Sequence, residues 1–404
     1  MSFKILCLDG GGIRGLISAR ILQELEEQIQ QPLHEYFDLI AGTSTGSILA
    51  AGLAYGLPAK ELVKIYQDDG LKIFPYSNYK SRERIPYILR YKADVARSSI
   101  TNIWNEISTP PYKPTKKRLH QLLSVFERAP KFTHEGLISV LQKYFGDTKI
   151  KEINKTKLLL FAYDTFYRNT TFFTNSHAEN HRWYDDMELW KICTSSSSAP
   201  TFFPPYNFKW NDANGNEWQF PHVDGGVSAN NPSLAALIHV MTEEKQKIED
   251  ISLVSIGTGK TTEPFDYDDV RSWGLIDWAG QIPGIFMGAQ LQITGALSQQ
   301  ILQSINPNNY LRLQFELNQR LGTQKSDDSP RQILPPDERV NEYTKKKVSE
   351  SIDDASEKNL REMLEMTEAF LNSDKYKEVD GGKFLSVKES IAGFIDANRP
   401  TVCV

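Results

Sequence analysis

The chain has 404 residues with 46 basic and 51 acidic side chains, a formal net charge of −5. Apolar residues make up 40% and charged ones 24%, globular usage that excludes a disordered, collagen-like or coiled-coil protein. The acidic balance argues against a general nucleic-acid binder, and Cys7, Cys193 and Cys403 are too few for a disulfide framework, which points to a reducing compartment.

Phe3 to Leu8 reads as a first strand that runs straight into a glycine cluster. The opening residues lack the apolar core and cleavage site of a signal peptide, and Cys403, second from the end, does not make a prenylation box. No stretch approaches the ~20 apolar residues that span a bilayer. The expectation is a soluble cytoplasmic protein. From Ile13, the residues Leu16, Ile17, Ile21, Leu25 and Ile29 recur at helical spacing. Asp38 to Ala41 reads as a second strand, followed by Gly42-Thr43-Ser44-Thr45-Gly46 and an apolar helix through Tyr55. Residues 72–118 carry eleven Lys or Arg against three acids, about +8 against about −13 elsewhere, together with seven aromatic residues. That segment is too long and irregular for a simple connection and reads as an insertion spanning about 72–130. Lys157 to Tyr163 and Ile251 to Ile256 read as buried strands, and Met187 to Cys193, Ser233 to Lys247 and Asp354 to Asn372 as helices. Alternating strands and helices predict an α/β sheet. The only low-complexity tract is Ser195-Ser196-Ser197-Ser198.

Gly42 to Gly46 fits GxSxG between a strand and a helix, the setting in which a serine stands clear of the backbone as a nucleophile. The bland alternative is a glycine-rich helix cap with Ser44 as capping hydroxyl. A hydroxyl needs a base. Of the seven histidines (His34, His120, His134, His177, His181, His222, His239) none follows His239, so the late histidine of an ordinary Ser–Asp–His order is missing. The candidate base is Asp224 in His222-Val223-Asp224-Gly225-Gly226, at a strand end where two glycines remove crowding. Loss of its water shell would raise its proton affinity. His222 is the second candidate base, and a plain turn aspartate the bland reading of Asp224.

Asp9-Gly10-Gly11-Gly12-Ile13-Arg14-Gly15 lies between the first strand and first helix, where exposed amides suit an anion. Gly10, Gly12 and Gly15 fit a dinucleotide GxGxxG, but the acid that would end the next strand is absent. The other reading is an oxyanion hole for a tetrahedral intermediate.

These three motifs in this order resemble the patatin family of phospholipases and lipid acyl hydrolases. The resemblance continues through Ala199 to Pro205, Ser255 to Gly259, Tyr310 to Arg312 and Asp353 to Ser356, and covers nearly the whole chain. It implies a three-layer α/β/α sandwich with a mixed, mainly parallel sheet. Residues 1–330 would form the catalytic domain, with 331–404 a helical portion packed on it. It implies Ser44 as nucleophile, Asp224 as general base, oxyanion amides from Gly10, Gly11 and Gly12 with Arg14 nearby, and no metal or cofactor. Gly15, Gly42, Gly46, Gly225 and Gly226 complete the motifs. The implied partner is a phospholipid or other acyl-ester lipid, presented at a peripheral membrane surface.

The basic insertion resembles the extra region of bacterial patatin-like phospholipases, some of which are effectors switched on by cyclic dinucleotides during phage defence. A cyclic-dinucleotide activator is thus a further expectation. Its basic, aromatic residues suit an anionic bilayer or an anionic nucleotide, and the largely uncharged stretch Trp273 to Ile305 suits an acyl groove. A general carboxylesterase or lipase remains open, as does a binding module in which the glycine loop holds a phosphate. Oligomeric state, a homo-oligomer included, is not read from the sequence.

Overall fold

The computed structural model describes residues 2–75, 130–176, 182–212, 214–261, 265, 267–319, 334–335, 338–379 and 383–399. Most of the predicted 72–130 insertion lies outside the described residues.

Strand β1 (Phe3–Leu8) forms where every residue but Lys4 is apolar. Its two faces enter two cores. Leu6 and Leu8 pack with α1 (Gly15–Ile29), α2 (Leu33–Tyr36), α3 (Thr45–Tyr55) and α4 (Ala59–Ile73), while Ile5 and Cys7 pack with residues of later helices. A strand covered on both faces favours a near-continuous apolar run, and Ile5 to Leu8 supply one after Lys4. β1 pairs in parallel with β2 (Leu39–Thr43), which pairs in parallel with β3 (Lys157–Asp164). Between them in the chain lies α5 (Glu135–Phe145).

Antiparallel strands follow: β4 (Asn169–Thr174) pairs with β3, and, after α6 (Leu189–Ser196), β5 (Tyr206–Asn211) pairs with β6 (Glu217–Asp224). After α7 (Gly226–Ala229) and α8 (Ser233–Thr242), β7 (Ile251–Ile256) returns to the other edge of β1. The short α9 (Tyr267–Val270) and the 31-residue α10 (Leu275–Ile305) lead to β8 (Tyr310–Leu313), parallel to β7. The sheet order is β5-β6-β3-β2-β1-β7-β8, with β4 beside β3. Ala236, Leu237 and Val240 of α8 and Leu302 of α10 close the second face. α11 (Glu357–Leu371) and α12 (Val387–Ala397) join the first, flanking a small hairpin of β9 (Lys377–Val379) and β10 (Lys383–Leu385). The result is a three-layer α/β/α sandwich on a mixed, mainly parallel sheet.

The second strand runs two residues beyond its predicted end, because Gly42 and Thr43 keep pairing with Leu160 and Phe161. The helix expected over 233–247 stops at Thr242, and Lys245 takes a positive φ of 55°. The uncharged stretch read as an acyl groove is a single helix, α10, despite Pro283 and several glycines.

The register around β3 brings two strand ends together. β4 occupies one edge of β3. On the other edge β2 pairs up to Phe161, and β6 takes over from Ala162. The two strands therefore meet end to end, so the turn after Thr43 and the last residue of β6, Asp224, converge from opposite directions.

Candidate active site

Ser44 sits between β2 and α3 with φ 54° and ψ −125°. A non-glycine residue in that region costs about 1–3 kcal/mol and persists only where its surroundings impose it. Here they do. A Cβ on Gly42 would lie 2.1 Å from the Gly46 carbonyl oxygen, and one on Gly46 would lie 2.2 Å from that of Leu8. The helix can close onto the strand ends only because both positions lack side chains. The Ser44 N–H donates to Ser196 Oγ at 2.9 Å, and its carbonyl accepts from the Ser47 N–H at 2.8 Å and the Ser47 hydroxyl at 2.6 Å.

Asp224 faces Ser44 across the meeting point. Its Oδ1 accepts the Gly226 N–H at 2.7 Å, while Oδ2 is buried without a hydrogen-bond partner among the described residues. Burial pushes the Asp224 carboxyl up to about 7, opposed by the neighbouring Ser44 hydroxyl and the Gly226 N–H. A carboxylate at that value is poised to exchange a proton at neutral pH.

The serine tract 195–198 ties the two strand ends together. Besides Ser196 Oγ on the Ser44 amide, the Ser198 carbonyl accepts the Asp224 N–H at 3.0 Å and the Ser196 carbonyl accepts the Gly225 N–H at 3.1 Å. In the sequence this tract reads as low complexity. Only the register, which places α6 beneath both strand ends, reveals its role.

The glycine loop lies beside Ser44: a Cβ on Gly10 would stand 3.3 Å from Ser44 Cβ. The Gly10 N–H is committed to the Asn230 carbonyl at 3.0 Å, and the Gly10 carbonyl accepts from Thr258 Oγ1 at 2.9 Å. Of the three amides that the motif nominates, Gly11 and Gly12 are the two that no described acceptor takes. Gly12 has φ 60°, and a Cβ there would strike the Ile352 carbonyl at 2.1 Å, so glycine is required on both counts. The next amide, Ile13, donates to that same Ile352 carbonyl at 2.8 Å.

Arg14 is buried, its Nη1 3.5 Å from the Glu350 carbonyl and its Nε without a partner among the described residues. Burial lowers the guanidinium to about 10 against the charge of Glu350, so it stays cationic at neutral pH. Gly15 packs on Thr45 and Tyr66, and Gly225 on the Phe161 carbonyl. Asp9 is engaged elsewhere. It forms a two-pronged ion pair with Arg312, whose Nη1 lies 3.1 Å from Asp9 Oδ1 and 2.5 Å from Ser255 Oγ. This links the first motif to Tyr310-Leu311-Arg312.

Ser44, Asp224, Gly10 to Gly12 and Arg14 all line one cavity of about 600 Å³, walled by Ile48, Phe74, Phe203, Ile282, Phe286 and Met287. His222, the second candidate base, does not line it. Its Nε2 lies 2.9 Å from Thr171 Oγ1, its ring sits among Phe173, Trp183 and Phe208, and burial lowers its pKa to about 4. It is a neutral core histidine. Among the described residues no group of three or more His, Cys, Asp or Glu side chains is arranged to hold a metal ion.

A family profile described as Patatin-like phospholipase matches residues 6–237. Patatin-like protein 2 of Arabidopsis thaliana is 32% identical over 300 residues, covering 68% of this chain and 64% of that protein. Patatin-like protein 3 of the same plant is 27% identical over 412 residues, covering 96% of this chain and 85% of that protein. Among solved structures, VipD from Legionella pneumophila aligns with a TM-score of 0.35 and 14% identity, covering 91% of this chain and 67% of that one.

Proposed function

The chain belongs to the patatin-like phospholipase family, and from that premise we propose that it hydrolyses acyl esters of phospholipids with Ser44 as nucleophile and Asp224 as general base. The observation that carries this reading is the Asp224 carboxylate, buried against the Ser44 hydroxyl with Oδ2 unpartnered and its pKa raised to about 7, at the floor of an apolar cavity.

Asp224 Oδ2 takes the Ser44 proton as Oγ attacks the ester carbonyl. The resulting oxyanion is met by the N–H groups of Gly11 and Gly12, and Arg14 adds positive charge to the loop. A single such donor is worth about 10²–10³ in rate. Collapse expels the alcohol, which takes the proton from Asp224 and leaves the acyl group on Ser44. Water then attacks the acyl-enzyme, giving its proton to Asp224. Breakdown of the second intermediate releases the fatty acid and returns the proton to Ser44 Oγ. The apolar walls suit an acyl chain, and exclusion of water around Asp224 keeps its proton affinity high.

The test is fatty-acid release from mixed phospholipid vesicles by wild type and Ser44→Ala at equal concentration. Release by wild type alone supports the reading. Ser44-dependent hydrolysis of soluble p-nitrophenyl esters with no release from vesicles would reassign the protein as a general carboxylesterase, and no Ser44-dependent hydrolysis of either would refute the dyad.

A further inference from the structure

Helix α10 carries no Asp, Glu, Lys or Arg from Trp278 to Ile305. Along it Trp278, Ile282, Phe286, Ile293 and Leu297 are exposed, Phe286 at 61% and Ile293 at 59%. At helical spacing these five fall within an arc of about 100°, and the exposed Ala289 and Ala296 lie on the same strip. Ser298 and Leu302, on the opposite side, are fully buried. A helix on the outside of a water-soluble domain ordinarily puts charges where this one puts Ile and Phe, and a continuous apolar strip of this length marks an interaction surface.

The strip is continuous with the catalytic cavity. Ile282 and Phe286 are at once exposed and part of the cavity wall, and the neighbouring Met287 and Leu291 line the inside. Near the N-terminal end of the strip Trp273 packs edge-on against both Phe265 and Trp278, at ring-centroid distances of 5.1 Å, and Tyr267 is 76% exposed. Aromatic groups of this kind favour the headgroup level of a bilayer.

We propose that this strip is the face by which the protein lies on a phospholipid bilayer, with α10 in the plane of the interface and the cavity mouth opening onto the acyl chains. The assignment rests on the lipid-hydrolase reading above. A second copy or another protein seated on Phe286 and Ile282 would cover the mouth through which the substrate must pass, whereas a bilayer supplies the substrate at that point. Among the described residues no helix is long and apolar enough to cross a membrane, consistent with a helix that rests on the interface.

The test uses Ile293→Asp and Leu297→Asp in the full chain, positions that lie outside the cavity lining. Binding to vesicles of phosphatidylcholine and phosphatidylglycerol is measured by co-sedimentation in a Ser44→Ala background, so that it does not depend on turnover. Each substitution is expected to weaken partitioning about tenfold or more, and to lower vesicle hydrolysis in the active background while hydrolysis of monomeric p-nitrophenyl butyrate stays unchanged. Unchanged partitioning overturns the docking face even where vesicle hydrolysis is Ser44-dependent. Weakened partitioning with no Ser44-dependent hydrolysis of either ester supports the face and refutes the hydrolase reading. Sedimentation velocity that shows a dimer broken by the substitutions, with vesicle binding intact, assigns the face to a second copy and overturns the proposal. A measurement that needs no acidic substitution to fold is quenching of tryptophan fluorescence by brominated-chain lipid. The quenchable fraction is expected to fall in Trp278→Phe, and equal quenching in wild type and variant counts against the proposal.

Discussion

Replacing Asp224 by Asn should make the protein more stable while removing its activity, and the gain in stability should grow with pH. Asn is nearly isosteric, and its Oδ1 can still accept the Gly226 N–H that Asp224 accepts at 2.7 Å. What it removes is a buried carboxylate with an unpartnered oxygen. Burial raises the folded-state pKa to about 7, against about 3.9 for an unfolded aspartate. The folded state therefore binds the proton more tightly, and the group's contribution to stability is complete below about pH 4 and lost as pH rises through about 7. Taking these values, the group costs the fold roughly 1–2 kcal/mol at pH 5, where folding must take up a proton, and about 4 kcal/mol at pH 8, where the buried carboxylate is ionised. The substituted amide does not titrate and carries no such cost at either pH. The advantage of the variant should thus widen by roughly 2–3 kcal/mol between the two pH values, which for a chain of 404 residues is about 3 °C in Tm. The assay is thermal unfolding of both proteins at pH 5, 6, 7 and 8 at constant ionic strength. A Tm difference that stays flat or narrows across that range would refute a perturbed Asp224, and with it the electrostatic argument for its role as base.

The same pKa fixes the rate profile: kcat/KM should rise with pH to a plateau above about 7, because only the ionised carboxylate accepts the Ser44 proton. A profile level from pH 5.5 to 8.5 would remove Asp224 from that role. Ser196→Ala deletes the acceptor of the Ser44 N–H and should lower stability by about 1–3 kcal/mol. It should also reduce kcat about tenfold or more with KM little changed, because a slightly misplaced nucleophile loses rate before binding; steady-state kinetics and denaturant unfolding read both. Arg312→Met should destabilise by about 3–5 kcal/mol, since it strands the buried Asp9 charge. Adding Asp9→Asn should recover part of that loss, and a double variant as unstable as the single one would show that the pair is not what Arg312 contributes.

The parts of the fold legible in the sequence are those where one physical signal dominates. Strands β1 and β7 end where the sequence places them, because both are buried on two faces and are dominated by apolar residues, with only Lys4, Ser252 and Ser255 polar, before a turn at Asp9 or Gly257. The helices after the two glycine motifs are equally plain from their spacing. Strands β4 and β5 escape a sequence reading, since β4 has no alternation and is buried only at its end, and β5 interleaves its aromatic residues with amide and charged side chains such as Asn207 and Lys209. Such strands are defined by their partners, and partners are not local. Helix α10 is legible as an uncharged surface but not as a helix, because its glycines and Pro283 argue against helical propensity while packing on α7 and α8 overrides it. In the site, Ser44 and Asp224 stand out because tight turns need glycine close by. Ser196, Ser198, Asn230 and Thr258 do not, because each acts through a hydrogen bond to backbone that is remote in the chain or formed only by the fold.

Those bonds explain how the fold sustains two unfavourable features side by side. Ser44 is held at a positive φ, and Asp224 is buried with an oxygen unpartnered; neither would keep its geometry if its neighbours could relax. The serine tract prevents this from below by bonding both strand ends at once. The glycine loop is held from the other side by a segment that arrives far later in the chain. The Ile352 carbonyl takes the Ile13 amide and packs against Gly12, Glu350 sits by Arg14, and Asp353 pairs with Lys131 and Ser351. The strain at Ser44 is therefore balanced by contacts drawn from the first strand, the middle helix and the C-terminal region together. The segment 350–353 is accordingly a structural support of the glycine loop, because its backbone fixes the chain from Gly12 to Arg14.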